Sequence, residues 1–177
     1  NLDPTIINGG VINSLKNNAK YGKGNWAIVE ADESDGSFLK LPLNYSIVTN
    51  IDNEHLDFYK NFKNLENSFI NFINKTPPIG KSVICIDDKN IKRIIKKIKI
   101  KNFVTYGFDK QADVRILNTR YEKQKTIFDV RIKNTGKKDS VIKKINLNLL
   151  GKYNVLNSTG AITCLLYTSP SPRDVWV

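Results

Sequence analysis

Short apolar runs rich in Val and Ile alternate along this 177-residue chain with segments of helical periodicity, and this alternation constrains the fold more than any other feature. Runs of this kind predict strands that are buried on both faces, and helical segments between them predict crossovers that keep the strands parallel. The predicted strands occupy residues 25–32, 45–51, 81–88 and 102–108. The sequence therefore predicts an α/β fold with a mostly parallel sheet flanked by helices.

The helical segments and the C-terminal half of the chain extend this prediction. Apolar side chains lie on one helical stripe in residues 60–74, and isoleucines repeat with helical spacing in residues 89–101. Asp87 or Asp88 is the expected N-cap of the second helix. The remaining segments predict a small antiparallel β extension and a last helix: an antiparallel pair at 112–134, a strand at 142–151 and a helix at 152–166.

The charge balance raises the question of a nucleic-acid partner. The chain has 28 Lys and Arg against 17 Asp and Glu, a formal net charge of +11. Lysines are scattered along the whole chain, and the densest cluster, at 89–101, is the polar face of a helix whose other face is isoleucine. No aromatic residues interleave with these lysines, as a surface that stacks single-stranded bases requires. We expect no nucleic-acid partner.

The cysteines and the hydropathy pattern bear on the compartment. Cys85 and Cys164 lie far apart without metal-type spacing, so the sequence predicts neither a disulfide framework nor a zinc site. No stretch approaches the roughly 18 to 20 apolar residues that span a bilayer, and the N-terminus lacks the pattern of a signal peptide. We expect a cytoplasmic chain without a membrane partner.

Polar side chains follow two of the predicted strands, where ligands bind in open α/β sheets. Four acidic residues fall within 29–35, and the only histidine, His55, follows the next strand. If the two strands are neighbours, the Glu30 carboxylate and the His55 imidazole meet above the sheet. This pair suits Mg²⁺ or Mn²⁺ bound with a phosphate, and the imidazole equally suits Zn²⁺. Asp52 and Asp57 are the expected acceptors for the ring, and a capping or solvated acidic turn is the alternative.

Four motifs follow one another along the chain: NGG at 8–10, VEADESDGSFL at 29–39, IVTNIDNEHLDFY at 47–59 and GKYNVLN at 151–157. Their order and approximate spacing resemble those of the Mur ligases. Within that family the resemblance is greatest to the branch that joins L-alanine to UDP-N-acetylmuramate. It extends from residue 1 to about residue 164 and covers most of the family's central ATP-binding domain, which implies the fold of a P-loop NTPase.

The resemblance implies roles for individual residues. Glu30 matches the family's magnesium-binding carboxylate, and His55 matches the histidine that binds a second metal beside the acyl-phosphate oxygens, so both are expected catalytic and metal-binding residues with Mg²⁺ or Mn²⁺. Asn154 and Asn157 match the paired asparagines of the HNxxN element, which contact the adenine of ATP. Tyr153 stands where that element has its histidine.

The resemblance also implies a substrate and a reaction. The lactyl carboxylate of UDP-N-acetylmuramate attacks the γ-phosphate of ATP, and the amine of L-alanine then displaces phosphate from the acyl phosphate. The positions that match the region facing the UDP-sugar are Asn8, Gly9, Asp32, Glu33, Ser34 and Asp35.

Other parts of the family have no counterpart in the sequence, namely the Gly-rich phosphate loop and the two outer domains. We therefore expect residues 1–164 to be a partial central domain that is catalytically inert by itself. The segment LLYTSPSPRD resembles the translation of sequencing-adapter DNA. We expect residues 165–177 not to belong to the natural protein, with a genuine loop as the alternative.

Two alternative functions remain open. A sibling ligase that attaches a recycled tripeptide to the same sugar is the nearer one, although the DESD segment at 32–35 favours the alanine branch. The other is a basic, non-catalytic binding module. Such a module would bind polyanions with an affinity that falls steeply with salt, and it would need no divalent cation.

Overall fold

The computed structural model describes residues 2–168, within which nine β-strands form two sheets and four α-helices lie between the strands or after them. The strands are β1 Thr5–Ile12, β2 Asn17–Lys20, β3 Ala27–Val29, β4 Tyr45–Val48, β5 Lys81–Cys85, β6 Phe103–Gly107, β7 Val114–Glu122, β8 Lys125–Ile132 and β9 Ser140–Leu147. The helices are α1 Leu56–Tyr59, α2 Phe62–Asn74, α3 Lys89–Ile94 and α4 Lys152–Thr168.

The larger sheet has six strands in the order β4-β5-β6-β7-β8-β9. Strands β4 to β7 are parallel neighbours, and β8 and β9 add antiparallel pairs. The predicted parallel sheet with an antiparallel extension is therefore confirmed. Val83 and Ile84, which are adjacent in β5, are both fully buried. Because successive side chains of a strand point to opposite faces, the sheet is covered on both sides at β5.

Side-chain caps start the two helices that follow β4 and β5. The Asn61 side chain accepts a hydrogen bond from the Asn64 backbone N–H at 3.0 Å, which begins α2. The Asp88 side chain accepts from the Ile91 N–H at 2.8 Å, which begins α3. Each cap satisfies a backbone donor that the first helical turn leaves unpaired. Of the two aspartates expected as the α3 cap, Asp88 has this role.

The lysine-rich helix predicted at 89–101 is shorter than expected. Its α-helical part ends at Ile94, and a 3-10 turn at Ile95–Lys97 follows it. The Asn74 side chain accepts hydrogen bonds from the N–H groups of Lys99 and Ile100, at 2.8 and 3.4 Å. These bonds occupy donors that a longer helix would need, so the chain leaves the helix and extends toward β6.

The second sheet contains three strands in the order β2-β1-β3, with β3 parallel and β2 antiparallel to β1. The predicted buried strand at 25–32 is wrong in length and in burial, because β3 has three residues and all of them are exposed. It pairs with β1 and belongs to the smaller sheet, whereas the predicted strand at 45–51 corresponds to β4 in the larger one.

No helix within residues 2–168 is long and apolar enough to cross a membrane. The two cysteines are unpaired: Cys85 is buried and Cys164 is half-buried. Helix α4 continues to Thr168, two residues beyond the helix predicted at 152–166. The expectation that residues 165–177 are foreign to the protein falls mostly outside the described residues and stays a prediction.

Candidate functional site

Glu30 follows β3 directly and holds the neighbouring strand β1. Its Oε2 atom accepts a hydrogen bond from the Gly9 backbone N–H at 2.7 Å, and its own N–H donates to the Ile7 carbonyl at 2.9 Å. A Cβ atom at Gly9 would lie 3.1 Å from this carboxylate oxygen, so a side chain there would crowd it. Asn8 donates to the Gly10 carbonyl at 2.8 Å. The structure thus brings together Gly9 and Glu30, which were predicted from two separate motifs.

The acidic segment after Glu30 is a turn in which side chains hold backbone groups. The Asp32 carboxylate accepts from the Ser34 N–H at 2.8 Å, and Asp35 accepts from the Ser37 N–H at 2.8 Å. Hydrogen bonds from Ser34 hold the pKa of the Asp32 carboxyl below its ordinary value, and hydrogen bonds from Ser37 do the same for the pKa of Asp35. Both carboxylates therefore stay ionised in mildly acidic solution.

Aromatic residues of α1 attach this acidic turn to the segment that contains His55. The Tyr59 hydroxyl donates to the Glu33 carbonyl, and the Phe58 ring packs against Gly36. Burial raises the pKa of the Tyr59 phenol, and the nearby carboxylate of Glu33 raises it further. Tyr59 therefore remains a protonated donor, which keeps the turn next to α1.

His55 lies immediately before α1 in a left-handed backbone conformation, with φ 57°. Its Nε2 atom is 3.6 Å from the Glu33 Oε1 atom and 4.0 Å from the Glu54 Oε2 atom. Non-glycine residues seldom have a positive φ, although histidine does so more often than most, and neighbouring structure must hold them there. The conformation directs the imidazole toward the acidic turn, and a third of the ring side chain remains accessible.

The expected meeting of Glu30 and His55 through adjacent strands is wrong, since β3 and β4 belong to different sheets. Within residues 2–168 the carboxylates within 4.0 Å of the imidazole are those of Glu33 and Glu54. Asp52, one of the two expected acceptors for the ring, instead accepts from the Asn50 side chain at 2.7 Å. Glu33 is a partner of the His55 imidazole that was not predicted from the sequence.

The donor set can be compared with what a cation requires. No group of three or more His, Cys, Asp or Glu side chains within residues 2–168 is arranged to hold a metal ion. Mg²⁺ commonly takes only one or two protein ligands and completes its coordination with water and substrate phosphates. Glu30 and His55, each as the ligand of a separate cation, are compatible with that mode, so the metal roles stay a prediction.

A cleft of about 300 Å³ opens where β4 and β5 end, beside the beginning of α4. Besides Cys85, eight of its lining residues have polar side chains: Thr49, Asn50, Asp87, Asp88, Lys89, Lys152, Tyr153 and Asn157. Ligands of open α/β sheets bind at this edge. Tyr153, which is 80% exposed, and Asn157 are therefore accessible to a ligand in the cleft.

The two asparagines that were predicted to act as a pair both lie in α4, three residues apart. Asn154 donates to the Leu150 carbonyl at 2.8 Å, whereas Asn157 lines the cleft. Sequence reasoning missed Asp87 and Lys152 as cleft residues. Asp87 could have been found, because it follows the predicted strand 81–88 at the edge where ligands bind. A larger groove of about 480 Å³ lies on the other side of Lys89, and none of the predicted site residues lines it.

Comparison with known proteins gives a consistent result. The UDP-N-acetylmuramate--L-alanine ligase of Pelagibacter ubique is 57% identical over 161 residues, which are 91% of this chain and 35% of that protein. The chain therefore spans about a third of the length of the curated relatives it matches.

Solved structures share the fold. The UDP-N-acetylmuramate-alanine ligase MurC of Thermotoga maritima superposes with a TM-score of 0.76 at 22% identity, covering 98% of this chain and 37% of that one. The MurF ligase of Thermotoga maritima, solved in complex with ADP, superposes with a TM-score of 0.66 at 14% identity, covering 97% and 41%.

The family model for the Mur ligase middle domain matches residues 10–165, which include the His55 segment, the acidic turn and the cleft at the start of α4. With that match over most of its length, the chain belongs to the Mur ligase family, in which it represents the middle domain.

Proposed function

We propose that this chain is the central part of an ATP-dependent ligase that joins L-alanine to the lactyl carboxylate of UDP-N-acetylmuramate in peptidoglycan precursor synthesis. The observation that carries the proposal is the 57% identity, over 161 residues, to a ligase that bears this name. The reaction proceeds through an acyl phosphate, which the amine of L-alanine attacks. The two unpaired cysteines fit the reducing cytoplasm, where we place this reaction.

The cleft between the ends of β4 and β5 and the start of α4 is the proposed site for the adenine nucleotide. Asn157 offers an amide at the rim, and Tyr153 offers an exposed aromatic ring. An amide can exchange two hydrogen bonds with the edge of adenine, and a phenol ring can stack on its face. Asn154 supports the start of α4 through the Leu150 carbonyl, so its contribution to the base is indirect.

Glu30 and His55 are the proposed holders of Mg²⁺ or Mn²⁺. When bound, such a cation neutralises negative charge where the substrate carboxylate approaches the γ-phosphate. The Gly9 N–H fixes one oxygen of Glu30, which leaves the other oxygen as the ligand. Glu33 lies close enough to His55 to orient the ring. Because this charge develops at the reacting atoms, loss of either residue should lower turnover more than nucleotide affinity.

The region around the acidic turn is the proposed face for the UDP-sugar. The backbone N–H groups in this turn already serve the aspartates, so the sugar would meet the remaining polar atoms of six residues, namely Asn8, Gly9, Asp32, Glu33, Ser34 and Asp35. Residues 1–164 would then supply metal, base and sugar contacts within a longer enzyme. We expect the chain to be inert by itself, since no Gly-rich phosphate loop occurs in its sequence.

The test uses a composite ligase, defined as the complete Pelagibacter ubique enzyme in which residues 2–164 of this chain replace the equivalent segment. It should form UDP-N-acetylmuramoyl-L-alanine and require Mg²⁺. His55→Ala should lower kcat by at least about 100-fold, because charge stabilisation at the reacting centre is lost, while ADP affinity stays within about twofold. Product formation is followed by chromatography, and ADP affinity by calorimetry.

Glu54→Gln is the matched control. Glu54 also lies within 4.0 Å of the imidazole, but its side chain is exposed and has no proposed metal role. Its kcat should stay within about twofold of the unsubstituted composite ligase. A composite ligase without activity, or a His55→Ala variant with unchanged kcat, contradicts the proposal. Salt-sensitive binding of polyanions without any ligation would support the binding module instead.

A further inference from the structure

Asp87 ties together the ends of two parallel strands beside the cleft. It follows β5, and its two carboxylate oxygens accept backbone hydrogen bonds from the residues after β6. The Phe108 N–H donates to Oδ2 at 3.0 Å, and the Asp109 N–H donates to Oδ1 at 2.9 Å. Both carboxylate oxygens of Asp87 therefore bind the backbone of one turn, and Asp87 also lines the cleft.

The turn is shaped to fit this carboxylate. Gly107 has φ +148°, and a Cβ atom there would lie 2.4 Å from the Asp87 Oδ1 atom. Glycine is required because it allows this backbone conformation and the close approach. Asp109 is held further by an ion pair with Lys92 and by the Gln111 N–H, which donates at 2.8 Å. Hydrogen bonding from Lys92 keeps the pKa of the Asp109 carboxyl below its ordinary value, so the ion pair persists at neutral pH.

The turn places the Phe108 ring beside Lys152, the first residue of α4. The Lys152 Nζ atom lies 5.5 Å from the centroid of the Phe108 ring, within the range of a cation–π contact. Lys152 also lines the cleft, next to Tyr153. No carboxylate within residues 2–168 lies within 4.0 Å of its ammonium group, so its charge is not neutralised by an ion pair there.

We infer that Asp87 is a positioning residue for nucleotide binding: it fixes the turn at Phe108, and the Phe108 ring in turn fixes the Lys152 ammonium at the rim of the cleft, where it attracts the anionic part of the nucleotide. The inference rests on the proposed function, because it assumes that an adenine nucleotide occupies this cleft. It adds Asp87 and Phe108, which lie outside the four sequence motifs, and it gives a role to Lys152 of the motif at 151–157.

The test measures ADP affinity of the composite ligase by calorimetry. Asp87→Asn replaces one acceptor oxygen by an NH₂ group that faces a backbone N–H, so the turn loses a bond and gains a repulsion. ADP affinity should fall about fivefold, the size expected for a misplaced charged contact. Lys152→Ala should give a similar loss, and the double variant should bind no more weakly than Lys152→Ala, because Asp87 acts through Lys152.

Asp113→Asn is the matched control. The Asp113 carboxylate also holds backbone, accepting from the Thr105 N–H at 3.0 Å and from its hydroxyl at 2.6 Å, but it does not line the cleft. Its thermal midpoint should fall as much as that of Asp87→Asn while its ADP affinity stays unchanged. Lys152→Arg should retain most of the affinity, and the affinity lost on Lys152→Ala should shrink at high salt.

The outcomes separate the two proposals. An unsubstituted composite ligase that binds no ADP overturns both. If ADP binds and Asp87→Asn leaves its affinity unchanged, only the positioning role is overturned. The same holds if Asp113→Asn weakens ADP binding equally, or if the losses of Asp87→Asn and Lys152→Ala simply add. A KM for UDP-N-acetylmuramate that rises with the Asp87 substitution also counts against it, because the effect would then not be confined to the nucleotide.

Discussion

The two sheets of this chain are built from similar residues and differ in how they are covered. In the larger sheet, Val83 and Ile84 of β5 are fully buried, although their side chains point to opposite faces. In the smaller sheet, Ile28 of β3 is 58% exposed and Val11 of β1 is 68% exposed. Strands β1, β3 and β5 all contain Val and Ile, so β-branched composition indicates that a strand forms and does not indicate what packs against it.

The candidate site also has two parts, one beside each sheet. Gly9 and Glu30 belong to the smaller sheet, where side-chain hydrogen bonds and close backbone approaches fix the chain. Gly24 is one such approach, since a Cβ there would lie 1.9 Å from the Leu2 carbonyl oxygen. Asn157 lies in α4 and Asp87 follows β5, so both lie beside the larger sheet, whose strand β5 is buried. The residues proposed for the sugar and for one metal therefore lie beside the exposed sheet, and those proposed for the nucleotide lie beside the buried one.

The largest expected effect comes from a matched pair of truncations. Ile84→Ala removes a fully buried side chain from β5 and should lower the free energy of unfolding by about 2–5 kcal/mol, through lost burial and a residual cavity. Ile28→Ala truncates a side chain that solvent already reaches, and should change it by about 0.5 kcal/mol or less. Urea titration of the chain measures both. Equal losses would break the comparison by showing that the smaller sheet is covered in solution.

A smaller effect is expected for ion pairs that differ in burial. Glu66 of α2 is nearly buried and accepts from Arg93 Nε at 2.7 Å. Glu66→Gln should lower the free energy of unfolding by about 1–2 kcal/mol, because Arg93 is half exposed and regains water. Glu122→Gln is the control, since both partners of the Arg120 pair are exposed, and its effect should be about 0.5 kcal/mol or less. The same titration measures both variants. A larger loss for Glu122→Gln than for Glu66→Gln would show that burial does not set the strength of these ion pairs.

Most of the larger sheet was predictable because its signals are local. Continuous apolar runs predicted β4, β5 and β6, and alternation predicted the antiparallel strands at 112–134. Helix length was less predictable, since Asn74 accepts hydrogen bonds from N–H groups that lie 25 and 26 residues later and would have continued α3. Strand β1 gave no apolar pattern, because Asn and Gly interrupt it.

The candidate site was predictable where it depends on strand ends and unpredictable where it depends on strand pairing. The rule that ligands bind at the carboxyl edge indicated the segment after β4, and its residues Thr49 and Asn50 line the cleft, whereas Asn157 was predicted from the resemblance alone. Pairing between distant strands leaves no local signal, so the condition on which Glu30 and His55 were expected to meet, namely that their strands are neighbours, was wrong. The contact of His55 with Glu33 depends on Tyr59, whose hydroxyl holds the acidic turn, and no spacing rule contains that bond.

The smallest expected effect is a pH dependence that compares one aspartate from each sheet. Asp3 bonds Lys20 beside the smaller sheet, and Asp109 bonds Lys92 beside the larger one; these bonds hold the pKa of both carboxyls below the ordinary value of about 3.9. A lowered folded-state pKa stabilises the folded chain above that value, and the stabilisation is lost as pH falls through the folded pKa. Carboxyl-carbon NMR should therefore show both groups titrating below pH 3.9.

Hydrogen exchange compares the two sheets directly, because the Asp3 carboxylate accepts a hydrogen bond from the Lys23 N–H at 3.0 Å. The smaller sheet lacks a covered core, so protonation of Asp3 should speed hydrogen exchange at the Lys23 amide. This acceleration should exceed the one that protonation of Asp109 causes at the Gln111 amide. Asp3→Asn and Asp109→Asn, which cannot titrate, should abolish the respective acid-dependent change once intrinsic exchange rates are divided out. Equal acceleration at the two amides would mean that both sheets are held by side-chain bonds to the same degree.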